Sequence, residues 1–183
     1  MTYVCTLSPL SHEFQGEDIL THLCSGGIGK DKLTSFYTHH FIFSNPPDTS
    51  LSLVSRTVGI DRIVDEFVFS LTHSQVVPWL IPGIPPTGKK LEIPFTSIVG
   101  MRGDRLCHEH ISWDQATVLK QLGLLPEYVA FPYQIDGKAP EKGKRYEVAL
   151  PVVGAEGSRK LVDEGCEESN VLMERKWRTV DDA

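Results

Sequence analysis

The sequence has few cysteines, no dense run of basic residues and no long apolar stretch. Its four cysteines, Cys5, Cys24, Cys107 and Cys166, are widely spaced and form no CxxC pair, which is typical of reduced thiols rather than of a disulfide framework. A net charge of −6 without a lysine- or arginine-rich stripe disfavours nucleic acid and anionic membranes as partners. No segment approaches the roughly 20 apolar residues of a membrane span, and the N-terminus lacks a signal-peptide pattern. We therefore expect a cytoplasmic protein whose partners are small molecules or other proteins.

The composition suits one domain with a more polar tail. Of the 183 residues, 40% are hydrophobic, which is enough to bury an ordinary core. Alternation, helical spacing and turn residues predict, in order, a strand (19–24), a helix (28–42), three long strands (50–58, 62–73 and 91–101), a fourth (105–113) and a closing helix (115–125). This order is typical of the α+β class, in which helices cover one face of a curved antiparallel sheet. In the polar remainder we predict one helix, 155–164, and a frayed charged end.

Three local features add detail to these elements. His40 lies on the predicted apolar stripe of the first helix, where a buried structural histidine is expected. Pro94, within a predicted strand, marks an edge or a bulge. The proline-rich loop after residue 75 carries Trp79, Leu80 and Ile84 at an apolar tip. Such a tip covers a pocket mouth, forms a subunit contact or packs in the core.

The stretch RLCHEHISWD places two histidines on one strand. Because side chains alternate along a strand, one face carries Leu106, His108, His110 and Ser112, and the other carries Cys107, Glu109, Ile111 and Trp113. Asp114 follows, where it either continues the histidine face or caps the next helix. Two imidazoles and a carboxylate can move protons near neutral pH. The alternative is a polar row that faces water, as antiparallel sheets commonly show.

A pair of carboxylates interrupts the strand 62–73. Asp65 shares its face with Phe67, Phe69, Leu71 and His73, whereas Glu66 shares its face with Val68, Ser70 and Thr72. A carboxylate that points inward is costly to bury unless it is paired or functional. The mixed polarity of the second set favours Glu66 as the pocket-facing residue, with Asp65 on the face that packs under helices.

The same residues bear on two other chemistries. His108-x-His110 with Glu66 or Asp114 supplies a three-ligand set for a metal ion. A covalent mechanism is disfavoured, because Cys107 lies opposite the histidines and no serine sits in a G-x-S-x-G turn. The glycines of SGGIGK lack the P-loop spacing, so we interpret them as a strand-to-helix turn.

Four segments of the sequence together resemble one family. They are GKDKLTSFYTHHFI, VSRTVGIDRIVDEFVFSLTH, PGIPPTGKKLEIPF and HEHISWDQATVLKQLGLLP, and they are similar to the SnoaL-like members of the nuclear-transport-factor-2-like superfamily. The likeness spans residues 19–126, which leaves 1–18 as an N-terminal segment and 127–183 as a C-terminal extension. The resemblance implies a cone-shaped half-barrel of curved, mainly antiparallel strands wrapped by helices. It also implies a ligand pocket inside and a homodimer formed through the sheet.

The resemblance further implies roles for individual residues. Asp114 matches the proton-transfer residue of the cyclases, and Glu66 matches a second acid/base carboxylate of fungal isomerases. His108 and His110 would then polarise a substrate carbonyl. Few residues precede the first strand, where family members begin with a long helix, so we expect a pocket lid that is incomplete, supplied by another chain or replaced by the C-terminal extension.

One leading hypothesis and two alternatives follow. The first is an acid/base enzyme without a cofactor, an isomerase, cyclase or hydrolase acting on a small hydrophobic carbonyl compound of polyketide or terpenoid type. Its catalytic residues would be Asp114, Glu66, His110 and His108, and its substrate contacts would be His22, Tyr37, Ser70, Trp79 and Phe95. The alternatives are a non-catalytic small-molecule-binding or dimerisation module of the same fold, and a metal-dependent hydrolase.

Overall fold

A six-stranded sheet is the largest element of the computed structural model, which describes residues 19–21, 26–27, 30–174 and 176–182. Its strands are β1 (Ile19–Thr21), β2 (Gly26–Gly27), β3 (Ser50–Val58), β4 (Arg62–Thr72), β5 (Lys90–Arg102) and β6 (Arg105–Trp113), in the spatial order β2-β1-β6-β5-β4-β3. β3 to β6 pair antiparallel in sequence, while β1 runs parallel to β6. The predicted segment 1–18, the end of the first predicted strand, Cys5 and Cys24 lie outside the described residues.

Three helices flank this sheet, so the predicted α+β class is confirmed. α1 (Lys30–Ser35) continues as a π-helical turn (Phe36–Phe41) and a 3-10 turn (Ile42–Ser44), and it ends before the Pro46-Pro47 pair as predicted. α2 (Gln115–Leu122) follows β6, and α3 (Ala155–Val162) lies in the C-terminal part. None of the helices in the described ranges is long and apolar enough to cross a membrane.

One face of the sheet carries the hydrophobic core, and we call it the inner face. Phe69, Phe95 and Trp113 point to this side and are buried. The Phe95 ring stacks between Phe67 and Trp113, with centroid distances of 5.5 and 5.2 Å. Such aromatic pairs each add about 0.5–1.5 kcal/mol beyond the burial of their area. The opposite side of the sheet, to which Glu66 points, is the outer face.

The proline-rich loop between β4 and β5 closes the core. Trp79 and Leu80 are almost fully buried, and Ile84 packs against the same cluster. Trp79 lies edge-on to Trp113, with ring centroids 5.7 Å apart, and its Nε1 donates to Asn45 Oδ1 at 3.0 Å. Of the three roles considered for this loop, the structure supports packing.

The expected burial of His40 is wrong because of the π turn. A π turn contains more residues than an α turn. Phe36 and Phe41, five positions apart, therefore both reach the core, while His40 is left exposed. The three- and four-residue spacing assumed from the sequence does not hold through this turn.

Pro94 lies in a central strand because the neighbouring strand ends beside it. The last residue of β6, Trp113, pairs with Phe95. Beyond the end of β6, the Gln121 side chain of α2 supplies the hydrogen bonds that a neighbouring strand would make. Its Oε1 accepts from the Glu92 N–H at 2.9 Å, and its Nε2 donates to the Glu92 carbonyl at 2.8 Å. Alternate residues of an antiparallel strand direct their backbone groups to the same side, so the nitrogen of Pro94 faces the same side as the Glu92 N–H. Because β6 ends there, the N–H that proline lacks leaves no hydrogen bond between strands unmade.

The C-terminal part forms a second sheet that the sequence pattern does not predict. Strands β7 (Tyr128–Phe131), β8 (Lys144–Ala149) and β9 (Trp177–Asp181) pair antiparallel in that order. Glu147 at the centre accepts from Arg178 at 2.7 and 2.9 Å and from Arg145 at 3.0 Å, and these hydrogen bonds lower the pKa of Glu147. Residues 177–181, expected to be frayed, thus form an edge strand, and the predicted helix is confirmed as α3.

Candidate functional site

The predicted histidine pair lies on the outer face. The His108 and His110 rings are neighbours on β6, with centroids 5.4 Å apart. His108 covers Gly100, its register partner on β5, so closely that a Cβ there would be 2.2 Å from His108 Cε1. His108 is partly buried and His110 is exposed. The predicted alternation of this strand is confirmed, but its histidine face points away from the hydrophobic core.

Asp114 holds the start of α2. Its Oδ1 accepts from the Ala116 N–H at 2.9 Å, and its Oδ2 accepts from the Thr117 hydroxyl at 2.7 Å. These bonds satisfy groups of the first helical turn, as an N-cap side chain does. Of the two roles considered for Asp114, the structure supports the helix cap.

Glu66 also lies on the outer face, so its expected place in a buried pocket wall is wrong. The side chain is exposed, and its Oε2 accepts from the Ser55 hydroxyl of β3 at 2.6 Å. Side chains alternate along β4, and Phe67 and Phe69 pack in the core. Asp65 shares their face, so Glu66 must point to the opposite, outer side.

The four predicted catalytic residues therefore do not converge on one buried cavity. Glu66 and the histidines share the outer face but lie on strands separated by β5, and Asp114 caps a helix. Within the described ranges, no three His, Cys, Asp or Glu side chains are grouped to hold a metal ion. The three-ligand set considered for His108 and His110 is accordingly not assembled.

A different set of polar side chains meets on the inner face. Glu109 of β6 accepts from the Tyr37 hydroxyl at 2.5 Å and from the Ser97 hydroxyl of β5 at 3.1 Å. Tyr37 comes from the π turn and packs edge-on against Phe36 and Phe41. Each Glu109 oxygen receives one hydroxyl, so the carboxylate is held in one orientation. We call Tyr37, Ser97 and Glu109 the inner polar cluster.

A second carboxylate on this face, Asp65, is paired with an arginine. Arg56 donates to its two oxygens at 2.6 and 2.7 Å in a bidentate arrangement. Asp65 is also the register partner of Ser97, which places the two pairs side by side. Glu109, by contrast, has no ion-pair partner among the side chains that the structure describes.

The inner face is open on the side of β3. Leu51 and Leu53 point to the same side as their register partners Phe69 and Phe67, yet they are 56% and 55% exposed. Phe67 is itself only partly buried. An apolar floor therefore extends from solvent at β3 towards the inner polar cluster. Ligand sites commonly combine such a floor with a few fixed polar groups.

The predicted substrate contacts fall in different places. Tyr37 belongs to the inner polar cluster and Phe95 to the aromatic floor, whereas Trp79 is enclosed in the core. Ser70 lies on the outer face, where it lines a cavity of about 550 Å³ beneath α3. His22 lies outside the described residues.

Glu109 and Ser97 were missed although alternation contained the signal. Glu109 shares its face with Ile111 and Trp113, and Ser97 shares its face with Ile93 and Phe95. A carboxylate within an apolar row is costly to bury unless it is paired or functional. The same reasoning that singled out the carboxylates of β4 identifies Glu109 when it is applied to β6.

Comparisons with known proteins find similarity in structure. No protein-family model matches the sequence, and no curated protein matches it at a significant level. A candidate SnoaL-like polyketide cyclase from Jannaschia sp. CCS1 is similar with a TM-score of 0.44 and 17% identity, over 52% of this chain and 64% of that one. IdmH, a candidate polyketide cyclase from Streptomyces antibioticus, gives 0.36 and 27%, over 42% and 52%.

A third solved structure, a protein with a ketosteroid isomerase-like fold from Catenulispora acidiphila, gives a TM-score of 0.40 and 15% identity, over 54% of this chain and 65% of that one. The Jannaschia protein is the one of these three whose name is SnoaL-like. This chain spans less than two thirds of the length of each of them. With TM-scores below 0.5, they carry no argument about activity.

Proposed function

We propose that this chain binds a small hydrophobic molecule on the inner face of the sheet, between β3 and the inner polar cluster. The observation that carries the proposal is the position of Glu109, a carboxylate fixed by two hydroxyls, which the row of Ser97 and Asp65 separates from an aromatic floor that is open at β3. Apolar contact supplies most of the affinity at such sites, and the fixed polar groups set the orientation of the ligand.

Binding is favoured over the acid/base hypothesis by the way the hydroxyls are used. Removing a proton next to a carbonyl needs a base and also a donor that stabilises the developing oxyanion. Both hydroxyls of the inner polar cluster donate to Glu109. The cluster therefore offers a base without a donor of its own, and the four residues predicted for catalysis lie elsewhere.

Two variants on the edge strand test which face binds the ligand. Leu53 and Ser52 are adjacent, exposed residues on opposite faces of β3, and Ser52 lines the outer cavity. The probe is 1-naphthylmethanol, titrated by isothermal calorimetry. Leu53→Asp is expected to weaken its binding about ten-fold or more, because it replaces apolar contact with a carboxylate that must lose water. Ser52→Asp introduces the same group on the other face and is expected to leave the affinity unchanged.

The contrary outcome is equally clear. If Ser52→Asp weakens binding and Leu53→Asp does not, the molecule occupies the outer cavity and the proposal is wrong. Absence of measurable binding to the wild-type chain also contradicts it. Circular dichroism spectra and thermal midpoints of the two variants check that both retain the fold.

A further inference from the structure

We infer that the molecule bound on the inner face is a hydrophobic amine, held as an ammonium cation by Glu109. The inference rests on the proposed function and specifies the polar group that the ligand brings to the inner polar cluster. It departs from the carbonyl compound suggested by the family resemblance.

The inner polar cluster offers a ligand hydrogen-bond acceptors and no donors. An ionised carboxylate only accepts, and its two oxygens together have about four lone-pair sites. Two of these sites are used by Tyr37 and Ser97, whose hydroxyl hydrogens are thereby committed. What the three side chains offer to a ligand is then a set of lone pairs. A ligand carbonyl or ether would place oxygen against oxygen, whereas an N–H or O–H group would be accepted.

The charges on the inner face are the second step. The negative charge of Asp65 is neutralised by the bidentate ion pair with Arg56, so Asp65 does not require a cationic ligand. Glu109 receives only neutral hydroxyls from the described side chains, and it is partly buried. A partly desolvated carboxylate gains most from a cationic donor, because charge-assisted hydrogen bonds are the stronger ones. A protonated amine supplies the donor and the missing charge together.

The aromatic floor is the third step. Phe67 and Phe95 stack beside the row of Asp65 and Ser97, and Tyr37 itself bonds to the carboxylate. Aromatic rings attract cations through their negative faces. Phe95 is stacked on both faces, so Phe67 is the ring of this pair that can meet a ligand. An apolar body with an ammonium group at one end therefore matches the floor and the cluster at once.

Three probes with one carbon skeleton test this inference. They are 1-naphthylmethylamine, a cationic donor; 1-naphthylmethanol, a neutral donor; and 1-naphthaldehyde, which only accepts. Calorimetric titration of the wild-type chain near neutral pH and at low salt is expected to show the amine binding about ten-fold more tightly than the alcohol, and the aldehyde most weakly. The preference for the amine should shrink at high salt, since part of it is electrostatic.

Matched glutamine variants locate the preference. Glu109→Gln removes the charge on the inner face, and it is expected to reduce the amine-to-alcohol ratio to near one. Glu66→Gln is the same change on the outer face, and it is expected to leave the ratio unchanged. Tyr37→Phe keeps the carboxylate and removes one donor, so the preference for the amine should persist, which provides a second test if Glu109→Gln folds poorly.

The outcomes separate this inference from the proposed function. If the aldehyde binds as tightly as the amine, or if the preference survives in Glu109→Gln, the amine inference is overturned. The loss of affinity in Leu53→Asp would still place the ligand on the inner face. If Leu53→Asp has no effect on any probe, the proposed function fails instead.

Discussion

Gly100→Ala is expected to destabilise the protein through His108 and not through the strand. Gly100 does not have a left-handed backbone conformation, and alanine in a strand is by itself more favourable than glycine by about 0.5–1 kcal/mol. The new Cβ would, however, lie 2.2 Å from Cε1 and 2.4 Å from Nδ1 of His108. The imidazole must then leave its position, and overpacking of this kind costs about 1–3 kcal/mol. We expect a net loss of about 1 kcal/mol.

A double-mutant cycle measured by urea unfolding tests this reasoning. In a His108→Ala background the obstructing ring is absent, so Gly100→Ala should stabilise the protein by about 0.5–1 kcal/mol. The change of sign corresponds to a coupling of about 1.5–2 kcal/mol, well above the scatter expected for independent sites. An equal effect of Gly100→Ala in both backgrounds would refute the packing of His108 on this glycine.

The remaining predictions concern stability and pH. Burial lowers the pKa of His73 below 6.5. Because the unfolded histidine takes up its proton first, the unfolding free energy should fall as the pH drops from 6.5 towards the folded pKa. Urea unfolding of His73→Gln at several pH values should show a smaller change of unfolding free energy with pH, and an unchanged dependence would contradict the assignment. Gln121→Leu leaves the Glu92 N–H without its partner, while the Glu92 carbonyl keeps the Ser158 hydroxyl, and the change should cost about 1–3 kcal/mol in urea unfolding, with a neutral effect counting against the strand-like role of Gln121. Hydrogen bonds from Arg178 and Arg145 lower the pKa of Glu147, so their contribution is present above pH 4.5 and is lost as the pH falls through the folded pKa; the protection factors of the β8 amides, which compare each exchange rate with the intrinsic rate at the same pH, should therefore fall on acidification in the wild-type chain and fall less in Glu147→Gln.

Homodimerisation through the sheet stays a prediction. α3 already covers part of the outer face, where Ser158 donates to the Glu92 carbonyl at 2.6 Å and Ser70 lines the cavity below the helix. The outer face near Glu66 and His110 remains exposed. A homodimer through the outer face would use that part of the surface, and light scattering on the purified protein measures whether a dimer forms.

Alternation along the strands was the most reliable sequence signal. It placed His108 and Glu109 on opposite faces of β6 and Asp65 on the face of Phe67, and each placement is confirmed. The face of Asp65, Phe67 and Phe69 packs in the core as predicted. The prediction is wrong at Glu66, because mixed polarity on the other face of β4 does not mark a buried pocket wall at that residue, which is exposed.

Other features depend on local irregularities that the sequence pattern does not reveal. A bulge between Leu53 and Ser55 shifts the register of β3 by one residue, and only this shift turns Arg56 to the inner face beside Asp65. The π turn similarly redirects the residues after Phe36. The contact between Tyr37 and Glu109 joins positions 72 residues apart, so it follows from the tertiary fold and not from any local motif.

A crystal structure of the chain with 1-naphthylmethylamine would show where the amine binds. We expect the naphthalene ring on the inner face against Phe67, with the ammonium nitrogen about 3 Å from a Glu109 carboxylate oxygen. A molecule found in the cavity beneath α3, beside Ser70, would contradict it.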